Sequence, residues 1–399
     1  MVPFVELGNE TDRETREKKA ASKTNGVAGM REIDLAYRTL YAELCQRSLD
    51  GAFEADFPIA GRFVTVPVNG RAYWYFDLPG PDGVKRRYVG PKHDAQITDR
   101  VERFQAIKGD LKARRKLVST LVREAGLPAP ERFSGDVVRA LSEAGLFRLR
   151  GVLVGTVAFQ CYPGILGARL PNAALQTGDA DFAQFHSVSA AVDDSLPPML
   201  DVLRSVDTTF RDLPHQADGR RSTKFRNAKG YEVEFLTPNR GSADHDGKPA
   251  GMPALGGAAA HPLRFLDFLI HEPVRAVLLY GGGVNVVVPA PERFAVHKLI
   301  VASRRRDDPL GRLKRDKDAL QAAVLGQALA MTRRASDLAT AYAEAWGRGP
   351  AWRQALREGL ASVPTKARTG LVAGIVDGLT EIGEDPEGLG FDAPGKPRP

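Results

Sequence analysis

Ala174-Leu175-Gln176-Thr177-Gly178-Asp179-Ala180-Asp181-Phe182-Ala183 is the stretch on which the fold turns. In an extended strand residues two apart project to the same face, so Asp179 and Asp181 present two carboxylates side by side. Such like charges repel and raise each other's pKa unless a cation sits between them. A divalent metal bound by hard oxygens resolves that conflict. A solvated polar turn is the other reading of a bare Asp-x-Asp, so the surrounding sequence has to decide.

Upstream, Leu149-Arg150-Gly151-Val152-Leu153-Val154-Gly155-Thr156 reads as a buried strand ending in a tight turn, after a helix carrying Val137, Val138, Leu141 and Leu146. A second helix is expected from Val157 through Phe159 and Tyr162, interrupted at Pro163-Gly164, and Thr177-Gly178 sets the turn into the acidic strand. Downstream, Val202, Leu203, Val206 and Phe210 predict a helix, or a helix followed by a strand. Tyr231-Glu232-Val233-Glu234-Phe235-Leu236-Thr237-Pro238 predicts another strand with alternating acids. A Gly-, Ala- and Asp-rich loop is expected from Asn239 to Ala260, and residues 276–288 read as a β-hairpin around Gly281-Gly282-Gly283. No Lys-Ser/Thr pair follows those glycines, which argues against a phosphate loop.

The chain-wide balance sets limits. Hydrophobic content of 43% and charged content of 26% describe an ordinary globular protein, and 399 residues suggest two or three domains. No apolar run long enough to span a bilayer is present and the first thirty residues lack a secretory apolar block, so a cytoplasmic protein without a membrane is expected. Fifty-six Lys and Arg against 49 Asp and Glu give +7, a field that favours phosphate-bearing partners. Cys45 and Cys161 read as buried reduced thiols.

Residues 1–30 are charged and aperiodic and are expected to be disordered or frayed. Residues 31–130 read as an N-terminal module of a helix (Ile33, Tyr37, Leu40, Tyr41, Leu44), an aromatic and basic antiparallel hairpin system over 63–89, and a helix over 97–124 broken near Gly109. Its aromatics, interleaved with Lys85, Arg86, Arg87 and Lys92, suit nucleic acid by stacking and phosphate contact. Packing of one hairpin face on the helix explains them equally well. Pro128-Ala129-Pro130 marks a boundary before a catalytic unit over 131–305. The helix from Pro291 carries His297, Lys298 and Arg304-Arg305-Arg306. A helical region spans 306–382, with helices expected over 316–345 and 352–380, and a Glu-, Gly- and Pro-rich tail over 383–399 is expected to be disordered.

A Gly-Thr turn after a strand, an Asp-x-Asp strand and a later strand with Glu234 supply a close-approach turn for triphosphate oxygens and three carboxylates able to bracket two divalent ions. In this order the chain resembles the DNA polymerase β-like nucleotidyltransferase superfamily, and more narrowly an uncharacterised bacterial branch of it, over residues 133–330. The motifs are Val154-Gly155-Thr156-Val157-Ala158-Phe159, Thr177-Gly178-Asp179-Ala180-Asp181-Phe182-Ala183 and Val233-Glu234-Phe235-Leu236-Thr237-Pro238.

The resemblance implies an α+β fold: a mixed sheet with helices, an N-terminal helix plus hairpin module and a C-terminal helical region. It implies Asp179, Asp181 and Glu234 as catalytic and metal ligands for two Mg²⁺, and Gly155, Thr156 and Lys298 as nucleotide-binding, with Arg304 a weaker phosphate candidate. Lys317-Asp318 resembles a recurrent pair of structural role. Thr156 stands where the superfamily has Ser and Glu234 where Asp is commoner. Glu232 shares Glu234's strand face but precedes the motif less well. The 22 residues between the turn and Asp179 exceed the spacing of minimal members.

The expected activity is transfer of a nucleotidyl group from a nucleoside triphosphate to a hydroxyl of an RNA (a tRNA end among them), a protein or a small molecule. Growth control of toxin–antitoxin type or phage defence is the setting implied. A catalytically weak member acting as a nucleic-acid or partner-binding module is the alternative. A sugar-nucleotide glycosyltransferase would place a fuller nucleotide-binding α/β unit before its acids.

Overall fold

The computed structural model describes residues 30–57, 61–80, 83–104, 111–171, 179–239, 241 and 247–391. The disorder expected for residues 1–29, the Thr177-Gly178 turn and the end of the tail fall outside them.

The chain enters through β1 (Arg31–Glu32) and α1 (Leu35–Asp56), followed by an antiparallel sheet of β2 (Arg62–Val68), β3 (Arg71–Gly80) and β4 (Gly83–Pro91). Helices α2 (Ala95–Glu102) and α3 (Leu111–Arg123) occupy the stretch read as a helix broken near Gly109, and the residues around Gly109 lie outside those described. Ile33, Tyr41 and Leu44 meet Val118 and Leu121 in one apolar cluster. The hairpin's aromatics face one another: Phe63 stands 4.9 Å from Phe76 and 5.1 Å from Phe104. Tyr75, Phe76 and Tyr88 are buried, and Arg86 is bound by both oxygens of Asp77 at 2.7 and 2.9 Å. Those three rings therefore serve packing, and the stacking platforms read from the sequence are not available on them.

Helix α4 (Arg132–Glu143) leads to β5 (Val152–Val154), buried at every position, then α5 (Gly155–Phe159) and α6 (Tyr162–Leu166). Pro163 opens α6 rather than ending a helix, because its missing N–H costs nothing in a first turn. After β6 (Ala168–Arg169), which pairs with β1, come β7 (Asp179–Ala183), α7 (His186–Ala191), α8 (Met199–Arg204) and the hairpin β8 (Arg211–His215) and β9 (Asp218–Arg226). That hairpin is absent from the sequence reading. Strand β10 (Glu232–Pro238) follows, and the expected loop over 239–260 contains β11 (Ala250–Gly251) and the start of β12 (Ala259–Leu263).

These strands form a seven-stranded mixed sheet of order β11-β12-β10-β7-β5, with β9 paired to β10 and β8 to β9. Strand β7 is parallel to β10 and antiparallel to β5. One edge of β10 is shared: Glu232 to Glu234 pair antiparallel with β9, and Leu236 to Pro238 pair parallel with β12. Ala180, Phe182, Val233 and Phe235 point to the buried face, where Phe182 and Phe235 stack at 5.8 Å. The alternating acids are thereby turned to the opposite face.

Past α9 (Leu266–Leu269), the hairpin β13 (Val274–Leu278) and β14 (Val284–Val288) forms as read. Helix α10 (Pro291–Ser303) is buried almost all round, as an apolar helix inside a bundle must be. It packs in the C-terminal helices α11 (Pro309–Met331), α12 (Ala335–Gly347), α13 (Pro350–Ser362) and α14 (Thr365–Glu381), four where the sequence reading has two. A Cβ at Gly359 would stand 2.2 Å from the Leu299 carbonyl oxygen, so glycine lets α13 approach α10 closely. Within the stretch read as a tail, Phe391 is buried against Tyr342, with centroids 5.1 Å apart.

Candidate active site

The parallel register of β7 and β10 aligns Asp179 with Glu232 and Asp181 with Glu234. Side chains in register on neighbouring strands share a face, so four carboxylates form a two-by-two array. Strand β5 ends beside them, with Val154 opposite Asp181. The next residue, Gly155, has φ +69°, and a Cβ there would stand 2.6 Å from Asp181 Oδ2. Glycine is required at this turn by conformation and by the carboxylate together.

Burial pushes the Asp181 carboxyl up to about 7, with repulsion from Asp179 and Glu234 adding to it and Lys298 and Lys224 opposing it. Lys224, from β9, places its ammonium 3.1 Å from Glu232 and 3.3 Å from Glu234. Arg226 donates from Nε to Glu232 at 2.8 Å. Burial would raise the Glu232 carboxyl, but the hydrogen bonds from Arg226 and Lys224 hold it below its ordinary range. Glu232 is thus a neutralised member of the array and Asp181 a crowded one. Among the described residues, no group of three or more His, Cys, Asp or Glu is arranged to hold a metal ion as it stands.

The array forms one wall of a cleft of about 1000 Å³, which Val154, Gly155 and Thr156 also line. Lys298, Arg304, Arg305, Arg306, Lys314 and Lys317, from α10, α11 and the segment between them, line it as well. All six residues singled out as site residues from the sequence, Gly155, Thr156, Asp179, Asp181, Glu234 and Lys298, therefore share one cavity. Lys298 is buried, with Nζ 2.6 Å from Asp318 Oδ1, while Arg305 donates from Nε to Asp318 Oδ2 at 2.8 Å. Asp318 fulfils the structural role read for it. Its neighbour Lys317 faces the cleft, where burial and then Lys298 depress its ammonium pKa against the pull of Asp179, Asp318 and Asp181.

Sequence reading missed Lys224 because the hairpin of β8 and β9 was not recognised, and missed His261 because β12, which begins inside the expected loop, was not read as a strand. His261 lines the cleft. The Ala217 N–H donates to His215 Nδ1 at 3.1 Å, so neutral His215 carries its proton on Nε2. That nitrogen lies 3.2 Å from His261 Nδ1 and donates to it, leaving the His261 proton on Nε2. Burial, together with His215 and Lys224, keeps His261 below its ordinary pKa despite Glu234.

A family model described as nucleotidyltransferase matches residues 132–347. Neither a curated protein nor a solved structure matches the chain significantly. Among the described residues, no helix is long and apolar enough to cross a membrane. The mixed sheet with flanking helices is compatible with a nucleotidyltransferase fold, and every cleft residue, from Val154 to Asp318, lies within the matched span. The match covers more than half of the 399 residues, and the chain belongs to the nucleotidyltransferase family.

Proposed function

We propose that this nucleotidyltransferase is of the polymerase β-like type, in the bacterial branch it resembles. It moves a nucleotidyl group from a nucleoside triphosphate, with Mg²⁺, to a hydroxyl of an RNA such as a tRNA end, of a protein or of a small molecule. The observation that carries this reading is the register of Asp181 with Glu234 beside the Gly155 turn, inside a cleft whose other wall is basic.

The donor set suits a hard divalent cation, because it consists of carboxylate oxygens and because Asp181 is crowded by Asp179 and Glu234. Asp179, Asp181 and Glu234 would hold two Mg²⁺, which supply Lewis-acid polarisation of phosphoryl and hydroxyl oxygens when bound. The Gly155-Thr156 turn offers close backbone approach and a hydroxyl to the triphosphate. Lys298 and Lys317 neutralise phosphate charge from the opposite wall. Lys298 does so while held by Asp318, which fixes the ammonium without a search among rotamers.

Lys224 favours the second reading, a catalytically weak member that binds nucleic acid or a partner, since its ammonium engages Glu232 and Glu234. The two separate in one assay: the protein is incubated with each α-labelled nucleoside triphosphate, Mg²⁺ and total RNA or cell extract. Label on a macromolecule that requires the protein and is lost with EDTA supports transfer. Absence of any new labelled product, macromolecular or small, with every nucleotide, from folded protein, supports the binding module.

A further inference from the structure

Phe265, between β12 and α9, has φ +67°, the left-handed conformation that carries a steric cost for any residue with a bulky side chain. Such conformations persist where the surroundings over-determine them. Here the Trp352 ring of α13 packs edge-to-face on Phe265, centroids 4.6 Å apart and planes at 83°. The Arg304 guanidinium lies over the ring at 5.3 Å from its centre. Phe265 and Arg304 both line the cleft, with Leu263 and Leu266 beside them, and Leu263 is 37% exposed. Leu269, Phe294, Ile300 and Val301 also line the cleft, but among its lining residues the left-handed aromatic ring under a guanidinium is found at Phe265.

The aromatic and apolar side chains of this corner offer a phosphate chain nothing. A flat π-system fits there, because a base gains from an aromatic face and from the plane of a guanidinium alike. We infer that Phe265 and Arg304 form the nucleobase shelf of this cleft, with Trp352 backing the ring. The inference rests on the reading of the cleft as a nucleotide site and adds the subsite that holds the base. Arg304 covers the shelf, and an arriving base takes its place against Phe265 while the guanidinium moves to the outer face of the base. Stacking reads the plane of a base rather than its edge, so all four nucleotides are accepted and purines, with the larger face, are held more tightly.

The test compares ATP with inorganic tripolyphosphate, each titrated with Mg²⁺ into the full chain by calorimetry, with tryptophan fluorescence followed in parallel. ATP should bind at least about tenfold more tightly than tripolyphosphate. Phe265→Leu should remove that advantage and leave tripolyphosphate binding unchanged, Phe265→Tyr should retain it, and Arg304→Ser, at an exposed position, should lose part of it without disturbing thermal unfolding. A fluorescence change on ATP addition should vanish in Trp352→Phe. Equal binding of ATP and tripolyphosphate by the unaltered protein overturns the shelf while sparing the nucleotide site. Unchanged ATP binding by both Phe265→Leu and Arg304→Ser does the same. Binding of neither ligand overturns the nucleotide site and the shelf with it.

Discussion

A Cβ added to Gly155 would come within 2.6 Å of Asp181 Oδ2, so the turn that ends β5 and the carboxylate of β7 are built as one unit. Gly155→Ala should cost about 1–2 kcal/mol through the left-handed backbone alone, and should lower transfer more than stability because Asp181 is displaced. Gly155→Asn tolerates the backbone but keeps the collision. Thermal unfolding near the unaltered value together with lost transfer in Gly155→Asn would show that the carboxylate contact, rather than the strain, sets activity. Full activity in both variants would contradict the coupling.

Asp318 joins Lys298 to Arg305, and the side chains of Asp318 and Lys298 are only 3% and 11% exposed. Asp318→Asn should destabilise the protein by about 3–5 kcal/mol, because it leaves a buried ammonium without its counter-charge. Lys298→Met combined with Asp318→Asn should recover part of the loss in urea unfolding. Additive losses in the double variant would refute the pairing.

Burial, reinforced by Lys298, pushes the His297 imidazole down to about 3. The unfolded chain protonates it near pH 6.5. Since the folded value lies below the unfolded one, this contribution to stability is whole above about pH 6.5 and shrinks as the pH falls towards 3. Its slope approaches about 1.4 kcal/mol per pH unit. Urea unfolding between pH 7.5 and 4.5 should therefore show the unaltered protein losing stability relative to His297→Gln. Parallel curves would show that His297 protonates freely in the fold.

The hydrogen bond from Ala217 to His215 determines the tautomer of both histidines. Long-range ¹H–¹⁵N spectra should show His215 and His261 each protonated on Nε2 at pH 8. His215→Phe should release His261 to a mixture of tautomers. A His261 protonated on Nδ1 in the unaltered protein would contradict the chain of donors.

What was legible in the sequence was local. The alternation of Asp179 and Asp181 with apolar residues, the glycine after Val152-Leu153-Val154, and Glu234 before Phe-Leu-Thr-Pro announced their strands and the turn, and the structure gathers these residues in one cleft. The shared edge of β10 was not legible, because β9 carries Arg220, Arg221, Lys224 and Arg226 with Phe225 its single large apolar side chain, and β12 is Ala-Ala-His-Pro-Leu. Lys298 was singled out through the family resemblance alone, because its partner, Asp318, lies 20 residues further on. Phe265 gave no signal, since the side chains it meets, Trp352 and Arg304, are distant from it in sequence.

The most direct test of the acidic array is a comparison of label transfer by Asp181→Asn, Glu234→Gln and Glu232→Gln under identical Mg²⁺ and nucleotide. Asp181→Asn and Glu234→Gln should lose more than about a hundredfold in rate, beyond the loss typical of residues that only support a metal ligand. Glu232→Gln, whose carboxylate is already engaged by Arg226 and Lys224, should keep most of the activity. Transfer by Asp181→Asn at the unaltered rate, or a loss in Glu232→Gln as deep as that in Glu234→Gln, would contradict the assignment.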